Sequence, residues 1–495
     1  MGQTFSFRWV DVLLLAPVIS LVLSSMIPLV IKVLTGNKEH NSFATLCYGL
    51  VGVIAAGVWL VLMSGSSRVA FEGALVFDGL SLISGLLIIS VTALALVYSR
   101  ENLSTNSTQF SEYVFLLMNS AAGMLLVSWS NDLIFFFVGL EMMSLCLYVL
   151  IAMSAEERLS KEAAFKYFLL GSFASAILLY GIAFIFGTAG TTNLPAIAEQ
   201  ASQLVATNRL FLVGLMFLVL GLCFKVSIFP LHAWTPDVYQ GAPTPVTAFM
   251  ATGAKTATFV LFLRVMTTDA FVADQIAGHL KDLNLIDVLQ WLAALTILVG
   301  NIAAVMQTNL KRMLAYSSVA HSGYIMIGLI VAALGGTDPA GSSSVMFYLI
   351  AYSLMTIGAF GILSIFEKDE DSSLQVEDLK GLASRRPWLA LCLTLCLLSM
   401  AGIPPTIGFF GKLFIFSAAI KAGLVWLAIW GVIGSVISVY YYLRPIVHMY
   451  MSDESGVEIA PERQLSMGLV SLVAILIVAL GIFSNPIYKA VLSAL

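Results

Sequence analysis

Runs of about 20 mainly apolar residues, separated by short polar stretches, recur along the whole chain. A helix rising about 1.5 Å per residue needs a run of that length to cross a hydrocarbon core about 30 Å thick. The pattern predicts fourteen spans, at 9–33, 43–64, 78–98, 112–130, 132–152, 163–187, 209–229, 246–267, 288–307, 313–334, 344–366, 388–420, 424–446 and 466–488. Two places resist a simple helix. The stretch FPLHAWTPDVYQGAPTP, Phe229 to Pro245, carries four prolines, and the run 388–420 is too long for one span and contains GIPPTIGFFGK. Helices broken at membrane depth persist only where protein or a water-filled cavity surrounds the break. The first apolar run is too long for a cleaved signal peptide and is read as a retained span.

Composition agrees with the pattern. Of 495 residues, 59% are hydrophobic and 11% charged, against roughly 45–50% and 25% in soluble domains. This excludes a water-soluble globule and makes the fold class an all-α membrane protein whose main partner is the lipid bilayer. The net charge of −4 comes with no basic cluster, so no nucleic-acid partner is expected. The cysteines, Cys47, Cys146, Cys223, Cys392 and Cys396, lie in apolar runs without metal-site spacing, and no metal or disulfide framework is expected.

Orientation follows the lysine and arginine count in connections. With the amino terminus outside, thirteen fall on inward connections and seven on outward ones. Both termini are therefore expected on the outer side, the periplasm or its equivalent. The connection Glu367 to Pro387 is expected to carry a short interfacial helix.

Four basic residues remain inside apolar spans: Lys166, Lys225, Lys255 and Lys412. A charge at the bilayer centre costs about 2.5–3.5 kcal/mol even on insertion scales. Glu141, nine residues beyond Asp132, is the one acidic group placed centrally, and His321 lies mid-span. Lys166 is close enough to its helix end to snorkel to the interface. His321 can equally be a core histidine bonded to Ser317 or Ser318, and His232 reads as a structural group in the broken region. Asp78, Glu112 and Asp132 sit at span ends, where a carboxylate is favourable near a helix amino terminus. Removal from water disfavours a charged lysine and a nearby carboxylate restores it, so Lys, Glu and His groups in series suit proton transfer. Sodium or calcium would need oxygen ligands that the spans mostly lack. With no nucleotide-binding glycine motif and no haem or cysteine-cluster pattern, redox chemistry is expected in other chains.

The strings FKVSIFPLHAWTPDVYQGAPTPVTAFMATGAKTATF (224–259), NLKRMLAYSSVAHSGY (309–324) and LKGLASRRPWLALCLTLCLLSMAGIPPTIGFFGKLFIF (379–416) resemble the antiporter-like membrane subunits of respiratory complex I, the proton-translocating NADH:quinone oxidoreductase. The resemblance is greatest to the N-type subunits. It implies two inverted five-helix repeats, each with a broken helix, within about 14 transmembrane helices: 1–111 for helices 1–3, 112–267 and 288–448 for the repeats, 466–495 for the last helix. Carried over by position, the family's proton-transfer residues are Glu141, Lys225, Lys255 and Lys412, with His321 at a position that varies in identity. The resemblance also implies that NADH, FMN, iron–sulfur clusters and quinone bind to partner subunits, with no cofactor in this chain. Partners would be the other membrane subunits (M-, L-, K-, J-, A- and H-type) and, through them, the peripheral dehydrogenase arm. A secondary cation/proton antiporter of the multisubunit type and a membrane scaffold are the competing readings.

Overall fold

The computed structural model describes residues 9–35, 42–65, 67–102, 109–153, 158–267, 285–335, 338–366, 374–452 and 464–495. Twelve helices among these are long and apolar enough to cross a membrane: Ala16–Thr35, Ser42–Leu62, Gly79–Glu101, Phe110–Trp129, Leu133–Ala152, Arg158–Ala189, Thr244–Thr267, Leu285–Val305, Leu310–Gly335, Ala340–Phe366, Val425–Met451 and Gln464–Ile482. The two remaining sequence-predicted spans are the interrupted ones. Arg209–Lys225 is followed, after a non-helical stretch, by Trp234–Gly241, and Pro387–Ala401 by Ile407–Lys421. This is an antiporter-like, predominantly helical membrane fold, and its twelve to thirteen candidate spans agree roughly with the fourteen expected.

Lipid gives helices no hydrophobic reason to associate, so close packing through small residues takes over. Between Phe110–Trp129 and Leu133–Ala152, a Cβ on Gly123 would lie 2.7 Å from the Met143 backbone nitrogen. Between Leu285–Val305 and Leu310–Gly335, one on Gly300 would lie 2.6 Å from the backbone nitrogen of Ala320. The best-covered spans are Thr244–Thr267, Leu310–Gly335 and Ala340–Phe366. These three carry Lys255, His321, Tyr324, Tyr348 and Tyr352.

The breaks follow from backbone chemistry. Ser227 has φ 63° and Phe229–Pro230 is a cis bond; Gly402 has φ 86° and Pro404–Pro405 is cis. Proline supplies no backbone donor, and the groups freed at each break find side-chain partners. Phe229 N donates to Thr296 Oγ1 at 3.0 Å, Trp234 Nε1 to the Phe224 carbonyl at 3.1 Å, and Gly408 N to Ser399 Oγ at 3.1 Å.

Two features have no counterpart in the predicted pattern. A short antiparallel hairpin pairs Arg68–Ala70 with Leu75–Phe77. Helix Leu194–Thr207 buries Leu194, Ile197, Ala201 and Val205, leaves Glu199, Gln200 and Gln203 exposed, and meets Arg209–Lys225 at 119°. The hairpin, Ser130–Asp132 and Asn193 are joined by bridges at one end of the molecule. At the opposite end lie the Asn309–Gln375 bridge and the bond from Gly381 N to the His448 carbonyl. Within the connection expected to hold an interfacial helix, Leu382–Arg385 forms one short turn of helix, while 367–373 lie outside the described residues.

Candidate functional site

Lys225, Lys255, Lys412 and His321 are 6%, 2%, 4% and 1% exposed, so each must find its partners within the protein. Lys225 is the last residue of the helix before the first break. Its Nζ donates to Ser144 Oγ at 2.7 Å and lies 6.0 Å from the Tyr148 ring centre. Ser144 is one turn beyond Glu141 on Leu133–Ala152, whose amino end is capped by Asp132 accepting from Ile134 N and Phe135 N. Glu141 is half-buried, with Oε1 shielded and lacking a hydrogen-bond partner in the structure. Lys225 thus reaches a hydroxyl on the glutamate's helix.

Lys255 follows directly on a five-residue π-turn, Met250–Ala254. Such turns recur at functional positions because the extra residue changes the phase of the side chains that follow. Lys255 Nζ donates to the Ser318 carbonyl at 2.9 Å, to Ser318 Oγ at 2.6 Å and to Ser322 Oγ at 2.8 Å. Ser318 Oγ also meets the Tyr352 hydroxyl at 2.6 Å. The Tyr352 ring lies 5.3 Å from that of His321.

His321 is held by two tyrosines. Nδ1 is 2.6 Å from the Tyr348 hydroxyl and Nε2 is 3.1 Å from that of Tyr442, which also meets Ser317 Oγ. A neutral imidazole has one donor and one acceptor nitrogen, so one tyrosine donates to the ring while the other accepts. The serines considered as direct partners of His321 instead support the hydroxyls and the lysine around it. Tyr324, edge-on to His321 at 5.7 Å, has its ring 5.1 Å below Lys412 Nζ. Lys412 donates to the carbonyls of Met400 at 2.9 Å and Ala401 at 3.0 Å, and to Ser435 Oγ at 3.0 Å.

The arrangement is a buried row: Lys255 bonds Ser318, Ser318 bonds Tyr352, the Tyr352 ring lies against His321, Tyr348, Tyr442 and Tyr324 surround His321, and the Tyr324 ring lies beneath Lys412. Lys255, His321 and Lys412 have only hydroxyl, carbonyl and ring neighbours among their recorded contacts. Such a row can pass protons between groups that both give and receive them. Among the described residues, no group of three or more His, Cys, Asp or Glu is placed to hold a metal ion.

The tyrosines were invisible to a search for charges in apolar runs. Their signal was the spacing of Tyr348 and Tyr352 on one helix face and the Tyr441–Tyr442 pair, since a buried tyrosine hydroxyl usually requires a partner. Lys166 lies elsewhere. It pairs with Glu162 and Asp237, each at 2.7 Å, and Asp237 also receives Arg312 at 2.6 Å. His232 sits in the break with its ring 5.6 Å from Phe229.

At the hairpin end Arg264 grips Asp78 through two bonds, 2.9 and 2.7 Å, and also donates to Ser81 Oγ and the Ser128 carbonyl. Burial alone would push the Asp78 carboxyl up, but the Arg264 charge and the bonds from Arg264 and Ser81 hold it below the usual carboxylate value.

A family model described as NADH:quinone oxidoreductase/Mrp antiporter, TM, matches residues 130–438. NADH-quinone oxidoreductase subunit N of Bdellovibrio bacteriovorus is 55% identical over 482 residues, 97% of each chain. In the structure of respiratory complex I from Thermus thermophilus with bound aureothin, one chain superposes with a TM-score of 0.80 at 32% identity, covering 96% of this chain and 99% of that one. A chain of the Mrp complex from Dietzia sp. superposes with a TM-score of 0.80 at 20% identity over 99% and 97% of the two chains, which is a likeness of fold.

Proposed function

The chain belongs to the NADH:quinone oxidoreductase/Mrp antiporter family as a subunit N of NADH-quinone oxidoreductase, and from that premise we propose that its buried row moves protons across the membrane. The observation that carries this reading is the sequence of contacts from Lys255 through His321 to Lys412, three ionisable groups joined by hydroxyls and rings. The ionisable groups and hydroxyls carry the protons, and water bridges the steps at which only rings meet, from Tyr352 to His321 and from His321 past Tyr324 to Lys412. Glu141 and Lys225 load the first half through the Ser144 hydroxyl, and Lys412, beside the second break, releases protons outward. Residues 112–267 and 288–448 act as the two inverted halves, each with one broken helix. NADH oxidation on FMN, electron transfer through iron–sulfur clusters and quinone reduction take place in partner subunits. M-, L-, K-, J-, A- and H-type membrane subunits link this chain to them, in a bacterial inner membrane with both termini periplasmic.

The 55% identity to a subunit N, against 20% to the Mrp chain, supports a redox-driven pump over a free-standing antiporter. The test is to isolate the complex through a tag on this chain and follow proton uptake during NADH oxidation in sealed vesicles. Flavin and iron–sulfur subunits should co-isolate. Lys412→Arg should assemble and pump fewer protons per electron, because guanidinium stays protonated. A normal proton-to-electron ratio in assembled Lys412→Arg would remove Lys412 from the pathway.

A further inference from the structure

An elongated apolar groove of about 460 Å³ separates helices Arg209–Lys225 and Leu285–Val305. Its walls are aliphatic, with Met216, Val219 and Leu220 on one side and Val288, Leu289 and Leu292 on the other, and Cys223 deep along it. Arg209, at the first turn, is the only charged residue lining it among the described residues. Arg209 is exposed and makes no recorded ion pair among the described residues. The adjoining helix Leu194–Thr207, turned by 119°, buries its apolar face and exposes Glu199, Gln200 and Gln203, which sets the level of the water interface beside Arg209.

We propose that this groove holds one acyl chain of a membrane phospholipid whose phosphate rests on Arg209. Charge and shape select this occupant together: a single cation lies at headgroup level and a purely aliphatic slot descends from it. From Arg209 to Cys223 the helix advances about 21 Å, beyond the midplane of a hydrocarbon core about 30 Å thick. The chain therefore covers the helix up to two residues before Lys225, and separates the lysine's break from the surrounding bilayer on that side. An extended protein segment inserted here would leave backbone polar groups in an aliphatic slot with no partners.

The experiment uses the intact complex in nanodiscs of phosphatidylcholine with phosphatidylglycerol bearing a photoactivatable diazirine on its acyl chain, with labelled peptides mapped by mass spectrometry. Labelling should concentrate on 209–225 and 285–292. It should fall strongly in Met216→Trp, whose indole fills the slot. Arg209→Gln should weaken phosphatidylglycerol labelling about fivefold, the factor one cation near a membrane surface supplies. Yields matching those on exposed Ala16–Thr35, or unchanged labelling in assembled Met216→Trp, would each overturn the assignment. Proton pumping is read in the same samples. Loss of groove labelling with a normal response to Lys412→Arg separates this site from the buried row.

Discussion

Replacing Lys255 by methionine removes the ammonium at the head of the buried row and keeps most of its volume. Three hydrogen bonds go with it, to the Ser318 carbonyl, Ser318 Oγ and Ser322 Oγ. Bonds from a charged group contribute about 1.5–3 kcal/mol each, whereas burying an ammonium costs several kcal/mol. The two effects are of similar size and opposite sign. The acceptors left behind keep other partners: Ser318 Oγ retains the Tyr352 hydroxyl at 2.6 Å, and the Ser318 carbonyl retains Ser322 Oγ at 3.1 Å. Lys255→Met should therefore fold and assemble with a stability change of about 1 kcal/mol or less, since no orphaned acceptor is created. Pumping is a different matter. Methionine cannot take up a proton, and even about 1.4 kcal/mol added to one transfer step slows it about tenfold. The assay is proton uptake and NADH oxidation measured together in vesicles carrying quantified, assembled complex. We expect at least a tenfold fall in proton uptake with a coupled fall in oxidation. Wild-type rates of proton uptake and NADH oxidation in the assembled variant would refute the row as the route.

Two other predictions concern the frame around that row. Because Asp78 is held below its unfolded value, its pairing with Arg264 stabilises the protein above about pH 4 and loses that effect as pH falls through the depressed value. Arg264→Gln should lower stability by about 2–3 kcal/mol near neutrality and flatten thermal-melting profiles below pH 4; identical acid profiles for the two proteins would contradict the clamp. A Cβ on Gly408 would fall 2.0 Å from the Ser399 carbonyl oxygen, so Gly408→Ala must push the halves of the second broken helix apart. It should cost about 3 kcal/mol and reduce assembled complex on native gels, whereas Gly57→Ala, with its nearest neighbour 3.8 Å away, should not; equal yields would show that the break tolerates displacement.

What was legible in the sequence was whatever carried a large local penalty. Prolines cannot sit quietly inside a span, and both breaks appeared where Pro230 and the Pro404–Pro405 pair required them. Lysines in apolar runs are equally conspicuous, and Lys225, Lys255 and Lys412 are all buried. Lys166, with the same sequence signature, joins an ion-pair group with Asp237 because it lies within a few turns of a helix end. The hydroxyl partners were not legible. Tyr348, Tyr352 and Tyr442 look like ordinary core aromatics until helices distant in sequence bring their hydroxyls to His321 and Ser318. The hairpin was also hidden, since strands of three residues carry too little alternation to stand out. Leu194–Thr207 escaped because a scan for long apolar runs passes over an amphipathic helix.

The carbonyls that receive Lys412 belong to Met400 and Ala401, the final residues of helix Pro387–Ala401, and Lys225 is itself the final residue of Arg209–Lys225. Aligned peptide dipoles give a helix carboxyl end roughly half a negative charge, which stabilises a nearby cation by about 0.3–1 kcal/mol when exposed and up to about 2 when partly buried. A carboxylate counter-ion can be neutralised by the very protons in transit, but a helix end has no proton to gain. Each break therefore provides its lysine with a permanent counter-charge, the same at every pH and at every stage of turnover.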